Sequence, residues 1–493
     1  MTTVRSYLIA LFLAVPLHAQ TMQLSTYFGA LGANGVQAMT TVAAMATDGA
    51  GDMYMVGSTN SNLPCGTIHG MQNVFVAMVS IKTKQPVWCT FIGANTDYGY
   101  GIALDASDNI YVAGMTNSPG LGTAGAYQTS LMGTDDAFVA ELNQTGSLQW
   151  FTYLGAAFNS QANSVFVDST GVYITGYTTG NGWPVAGGVS QTHYGGGGFD
   201  IAMAKLSLDG STLLWSGYLG GSSDDVGYRL AVSPDGSQAC LDGYSKSNNY
   251  PTTQGAFQNT KNAQRAAVVT CVDPGTGATQ ASTYFGGSTS SQQQCNACAA
   301  GLTFDYSGNV WIVGLAQNES DFPVTQDALQ GQYGGGLHDA FIAELSPNLS
   351  VVEYCTWFGG SQDDGAVAPE FDSSGNLWIH GNTFSANLVL PQNPPPFQNY
   401  NGGPTQTSDA FLLEISPANS MHSSWWVAYG TYLGGSANEF GGATQSLAVG
   451  PGVIWFAGYT KSSNFPLVNA FDKKLKGTEA GFVAQFCPTC SNE

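Results

Sequence analysis

The chain has 493 residues, 43% of them hydrophobic and 9% charged, with 64 glycines, 23 tyrosines and 25 phenylalanines. That composition excludes a disordered chain and points to a turn-rich β protein. Lys and Arg number 12 against 33 acidic residues, and the formal charge of −21 repels phosphate backbones and anionic lipid, which sets nucleic acid aside as a partner.

Residues 1–19 read as a secretory signal peptide: Arg5, an apolar run from Tyr7 to Val15, Pro16, and Leu-His-Ala ending at Ala19. The run is too short for a permanent span, and no later segment reaches about 18 consecutive apolar residues. The chain from residue 20 onward is therefore expected to be exported, secreted or at the cell surface, as one domain with no transmembrane segment, and monomeric. Export permits disulfides among nine cysteines, of which an odd one stays unpaired within the chain.

From residue 25 one phrase recurs seven times: STYFGA to Ala30, CTFIGA to Ala94, FTYLGA to Ala156, SGYLGG to Gly221, STYFGG to Gly287, CTWFGG to Gly360 and GTYLGG to Gly435. The first glycines lie 62 to 75 residues apart. A unit of that size cannot bury its own faces, so the units must stack. Three more strands recur in each period. Strand a is made of small residues and ends in a turn, as in GIALDASDN from Gly101; strand b closes on glycine, as in VWIVG to Gly314; strand c follows DAFIAEL from Asp339. With the glycine phrase as outer strand d, four antiparallel strands in each of seven units predict an all-β, seven-bladed propeller. The last unit ends after strand c at Phe486, whereas a spare d phrase, Leu24 to Phe28, stands at the other end. The N-terminal strand is thus expected to complete blade 7 and close the ring.

The a-to-b and c-to-d turns are short. The b-to-c connections run about twenty residues; each carries an early proline, from Pro64 to Pro466, and most a later G-A-aromatic-Q element such as Gly125 to Gln128. They share a face with the d-to-a connections, and that long-loop face is the candidate binding surface.

These features resemble the bacterial β-propeller repeat family called SBBP repeats. Its pattern joins a Tyr-Leu-Gly-Gly phrase, an acidic pair, a D-x-x-G-N-x-Y-x-x-G hairpin, a Phe-Pro step and a D-A-F-x-x-K/E-L strand. Copies here are Tyr218 to Asp225, Phe358 to Asp364, Asp305 to Gly314 and Asp339 to Leu345. Blade 4 departs from it at Cys240, Arg265 and Ala266, and blade 1 has Asn73 in place of Asp. The resemblance implies exported or surface-displayed bacterial proteins and no single catalytic activity.

The acidic pairs Asp224-Asp225 and Asp363-Asp364, with Asp97 and Glu439 at similar offsets, suit two roles: oxygen ligands for Ca²⁺, the one cofactor considered, or caps on backbone N–H groups. Asp136, Asp200, Asp339 and Asp409 each open a strand c, and such recurrence argues for a structural bond. Cys295 with Cys298 and Cys487 with Cys490 form two C-x-x-C pairs on opposite faces, which favours local disulfides over one zinc site. Cys65 with Cys89, and more weakly Cys240 with Cys271, are candidate bridges. The histidines are scattered, and no H-x-x-x-H or G-x-S-x-G motif occurs. Trp183, Tyr194, Tyr333, Phe397 and Tyr400 are loop aromatics suited to stacking on a sugar or a protein partner, unless they fold back onto their own blades. The reading is a non-catalytic propeller that binds a protein or glycan through Asp224, Asp225, Asp363, Asp364, Trp183, Tyr333 and Phe397. The alternatives are a secreted polysaccharide lyase or glycosidase with acids at the channel mouth, or a scaffold.

Overall fold

The computed structural model describes residues 21–29, 39–261, 263–287, 297–404, 406–441 and 445–488. These form seven antiparallel sheets arranged in a ring, a seven-bladed β-propeller, with no helix among the described residues. Blade 3 shows the plan: strands Ser160–Asp168, Gly171–Thr178, Asp200–Leu206 and Leu213–Leu219 pair in chain order from the axis outward. Blades stack face to face, so inner strands are buried on both sides. Every residue of Asp200–Leu206 and Ala266–Val272 is buried. Tryptophans wedge between neighbours: Trp150 Nε1 donates to Leu208 O at 3.1 Å, Trp215 Nε1 to Pro274 O at 2.9 Å and Trp455 Nε1 to Gly51 O at 3.0 Å.

Ring closure follows the strand inventory. Thr21–Phe28 pairs antiparallel with Ala480–Cys487 and is the outer strand of blade 7. Leu24, Tyr27 and Phe28 are fully buried. Tyr27 Oη donates to Ser462 O at 2.6 Å and accepts from Phe465 N at 3.2 Å, while the Phe28 ring packs 5.5 Å from Phe75 of blade 1.

Two devices were not legible as such in the sequence. The G-A-aromatic-Q element is a strap along the free edge of strand d: Thr123 N bonds Phe151 O and Tyr153 N bonds Gln128 O, both at 3.0 Å, and Thr253, Ser282, Gln258 and Tyr284 repeat the pattern in blade 4. It covers backbone groups that would otherwise template strand addition. The second device is a bulge in the innermost strand of six blades, which shifts register around Ala43, Tyr100, Asn163, Tyr228-Arg229, Ala300 and Val367. Bulges re-aim side chains, here at the axis.

Disulfides join Cys65 to Cys89 and Cys240 to Cys271. Cys298 and Cys487 are also disulfide-bonded, whereas Cys295 and Cys490 lie outside the described residues, as does the expected signal segment 1–19. Among the described residues Cys355 carries a free, buried thiol, and no helix is long and apolar enough to cross a membrane.

Removing residues 20–29 uncovers strand Ala480–Cys487 and forfeits roughly 1.5–3 kcal/mol for each of Leu24, Tyr27 and Phe28. The shortened chain is expected to elute as oligomers or aggregate in size-exclusion chromatography; a monodisperse monomer with the parental Tm would refute closure.

Candidate functional site

On the long-loop face, adjacent blades are latched by buried carboxyl groups. In blade 3, Asp200 Oδ2 accepts from Gly195 N at 2.5 Å, which ties the b-to-c loop to the start of strand c. Across the boundary, Asp225 Oδ2 accepts from Gly221 N at 2.7 Å and from Ser247 Oγ at 2.8 Å. Blade 5 repeats the arrangement with Asp339 taking Gly334 N, and Asp364 taking Gly360 N, Ser385 Oγ and Thr383 Oγ1. Blade 6 uses Asp409 with Gly402 N, and Glu439 with Gly435 N and Thr460 Oγ1. A glutamine from the strap completes the link: Gln398 Nε2 donates to Asp409 at 3.0 Å while its Oε1 accepts from Gly434 N at 3.2 Å. The first glycine of the phrase is required by close approach. A Cβ on Gly220 would stand 2.7 Å from the Asp200 carboxyl carbon and 2.9 Å from Asp225 Oδ2.

Burial holds these carboxyls protonated to unusually high pH. Asp200 and Asp339 are raised to about 7 and Asp364 to about 6, each against the lowering effect of its N–H donors. Asp97, Asp136 and Asp225 are raised for the same reason. Asp409 and Glu439 are both raised by burial, and for Asp409 the neighbouring glutamate adds to the shift.

Inside this ring of latches the axial channel opens through tyrosines. Tyr98 and Tyr100 stand parallel with centroids 6.0 Å apart, Tyr177 meets Phe199 edge-on at 4.9 Å, Tyr228 lies 5.9 Å from Tyr244, and Phe440 lies 5.2 Å from Tyr459. The Arg265 guanidinium sits 4.1 Å over the Tyr244 ring. Burial pushes the Tyr100 and Tyr228 phenols up, so they remain neutral hydrogen-bonding groups. A cavity of about 290 Å³ opens among Thr41, Ser58, Gln72, Tyr98 and Tyr100. Deeper along the axis, polar side chains reach across: Gln445 Nε2 of blade 7 donates to Ile102 O of blade 2 at 2.7 Å, and Asn163 Nδ2 to Gly227 O at 2.7 Å. Arg229 lies in the field of Asp242 and of Glu370 from blade 6, both raised to about 7 by burial despite that cation. Asp242 Oδ1 also accepts the Arg229 backbone N–H at 2.8 Å, so it secures the bulge.

A family model described as a β-propeller repeat, SBBP, matches residues 87–120 and 149–182. Each match runs from strand d of one blade into the b-to-c loop of the next. The first contains the strand-a half of a latch, Asp97 with Thr116 and Ser118. The chain carries SBBP β-propeller repeats. No curated protein matches the sequence. Among solved structures, similar chains come from the Kuenenia stuttgartiensis hydrazine synthase (9% identity, 89% of this chain and 98% of that one, TM-score 0.43) and from a mitotic checkpoint complex (9% identity, 97% and 99%, TM-score 0.44). A third is the Dos1 propeller (9% identity, 94% and 82%, TM-score 0.43). Likeness of this order carries no inference about chemistry, and the blade count rests on the strand pairing.

The expected site residues separate. Asp225 and Asp364 are buried latch acceptors. Asp224 is tied to Lys246 Nζ at 2.8 Å and to Gly198 N at 2.7 Å, and Asp363 accepts from Leu337 N at 2.5 Å. Each member of the acidic pairs thus accepts at least one N–H donor, and no cluster of three or more His, Cys, Asp or Glu suited to a metal occurs among the described residues. Trp183 corrects the expectation of an exposed ring: it is 3% exposed, packed into the core that blades 2 and 3 share. Tyr333 is half-buried, edge-on to Trp357 at 5.3 Å. Phe397 and Tyr400 stay exposed. The channel-mouth tyrosines were missed because their places in the repeat vary from blade to blade: Tyr177, Tyr244 and Tyr459 correspond to Ser58, Met115 and Leu315 elsewhere.

Two measurements test the latch. Gly220→Ala should cost about 1–3 kcal/mol in urea unfolding, whereas Gly331→Ala, with open space around its Cα, should be neutral. The raised carboxyls make the folded chain bind more protons than the unfolded one between about pH 4 and pH 7. The stability they contribute is complete below the unfolded pKa and is lost as pH rises through about 7. Tm should therefore fall from pH 5 to pH 8 at constant ionic strength. Asp339→Asn, the amide that Asn73 supplies naturally in blade 1, should flatten that fall.

Proposed function

We propose that the protein is an exported, non-catalytic propeller that binds a protein or glycan partner at the tyrosine-lined mouth of its channel. The observation that carries this reading is the split between two sets of side chains on one face. The carboxyls, glutamines and glycines of the latch are consumed in holding blades together. Tyr98, Tyr100, Tyr228 and Tyr459 vary between blades and offer half-buried rings and hydroxyls to the channel. Tyrosine supplies large contact area at low conformational cost, with a polar tip. Met71, Met132, Phe158 and Leu337 are exposed on loops around the mouth and extend the apolar contact. Export is supported by the N-terminal sequence together with the disulfides.

Asp242 and Glu370 favour a second, hydrolytic reading, because burial raises both carboxyls to about 7 within the field of one cation, Arg229. Their engagement with Arg229 and with the bulge weighs against it. A reducing-end assay on neutral and acidic polysaccharides separates the readings, since release of new ends would support the hydrolase.

For the binding reading, a glycan array and envelope preparations of the source cells are probed with the parent and with Tyr100→Ala/Tyr228→Ala. Loss of binding in the variant at unchanged Tm is expected. Equal binding by both proteins would move the contact away from the channel mouth.

A further inference from the structure

The shoulder between blades 6 and 7 holds a groove of about 370 Å³ on the long-loop face, away from the channel mouth. Its walls are Phe397 and Tyr400, 39% and 62% exposed, and its polar groups include Asn399 and Asn464. Gly402, Gly434 and Gly435 bring backbone close to its floor, and no Asp, Glu, Lys or Arg lines it.

The other blades serve as internal controls for what folding requires there. In each of five blades a strap glutamine donates Nε2 to the carbonyl two residues on: Gln128 to Ser130, Gln191 to His193, Gln258 to Thr260, Gln330 to Gln332 and Gln398 to Tyr400. That bond uses only the backbone of the second residue, so its side chain is unconstrained by the repeat. Blade 6 alone of the five places a phenol there, and leaves it in solvent. Asn464 is fixed from the other side, since its Oδ1 accepts Ser436 N at 2.9 Å and Ser436 Oγ at 2.8 Å. Its Nδ2 hydrogens have no protein acceptor among the described residues.

We infer that this groove is a subsite for a neutral glycan chain, with Phe397 and Tyr400 stacking on pyranose faces and Asn399 and Asn464 bonding ring hydroxyls. Aromatic faces match the C–H faces of sugars, and a few fixed amides set orientation. The lack of charge in the lining disfavours uronate, sulfate or phosphate groups, which would be desolvated there without a counter-ion.

The test uses the whole mature protein in calorimetric titrations with neutral hexasaccharides of glucose, mannose and xylose, and with hexagalacturonate. At least one neutral chain should bind. Tyr400→Ala should weaken it about tenfold, the scale of one lost aromatic contact. Tyr400→Phe should stay within about threefold, because the ring and not the hydroxyl does the stacking, and Met421→Ala, exposed on the opposite face of the same blade, should leave binding intact, all at unchanged Tm. Failure of every neutral chain to bind, binding by hexagalacturonate alone, or full binding by Tyr400→Ala would overturn the inference. Loss in Tyr100→Ala rather than Tyr400→Ala would also overturn it, while leaving the channel-mouth reading standing.

Discussion

Buried carboxyl groups that accept backbone N–H bonds across blade boundaries are the constraint from which the rest of the molecule follows. A sheet on its own can satisfy its ladder but not its loops, and here two long loops per blade lie against each other and bring backbone donors together. One short acidic side chain at each end of a glycine turn answers several donors at once, as Asp364 does for Gly360, Thr383 and Ser385. The demand on geometry explains the glycine, and the demand on desolvation explains why the pKa values of these acids are raised. Blade 1 reaches the same end with Asn73, whose Oδ1 takes His69 N at 2.8 Å. The acceptor matters more than its charge.

With the boundaries secured in this way, the innermost strands are free to differ. The bulge places one extra residue of each strand at the axis, and those residues range from Ala43 and Ala300 to Tyr100 and Arg229. A bulge leaves that residue outside the ladder, so its identity is not fixed by pairing. The result is a frame of repeated latches around a non-repeated channel.

That division also governs what could be read from the chain. The glycine phrase, the four strands and the spare N-terminal strand were legible because each recurs or is conspicuously missing from a recurrence. The acids that open strand c were legible as structural for the same reason, whereas Asp225 and Asp364, which open strand a, were read as binding residues. The bulges were not, since a single unpaired residue leaves no periodic trace, and with them went the placement of Tyr100 and Tyr228. Loop aromatics misled in the other direction: composition alone does not distinguish Trp183, folded into the core, from Tyr400, left in solvent, because both follow strand b in glycine- and proline-rich stretches. Only the strap geometry separates them.

The pairing of Thr21 with Cys487 sets the entering and leaving polypeptide side by side on a single blade. The chain thus enters at Thr21 and leaves at Cys487 on the same blade. The ring is in effect already circular, so a short peptide could join its ends and the chain could be reopened at an exposed turn such as Asp235-Gly236, turning the closing strand into an ordinary internal hairpin.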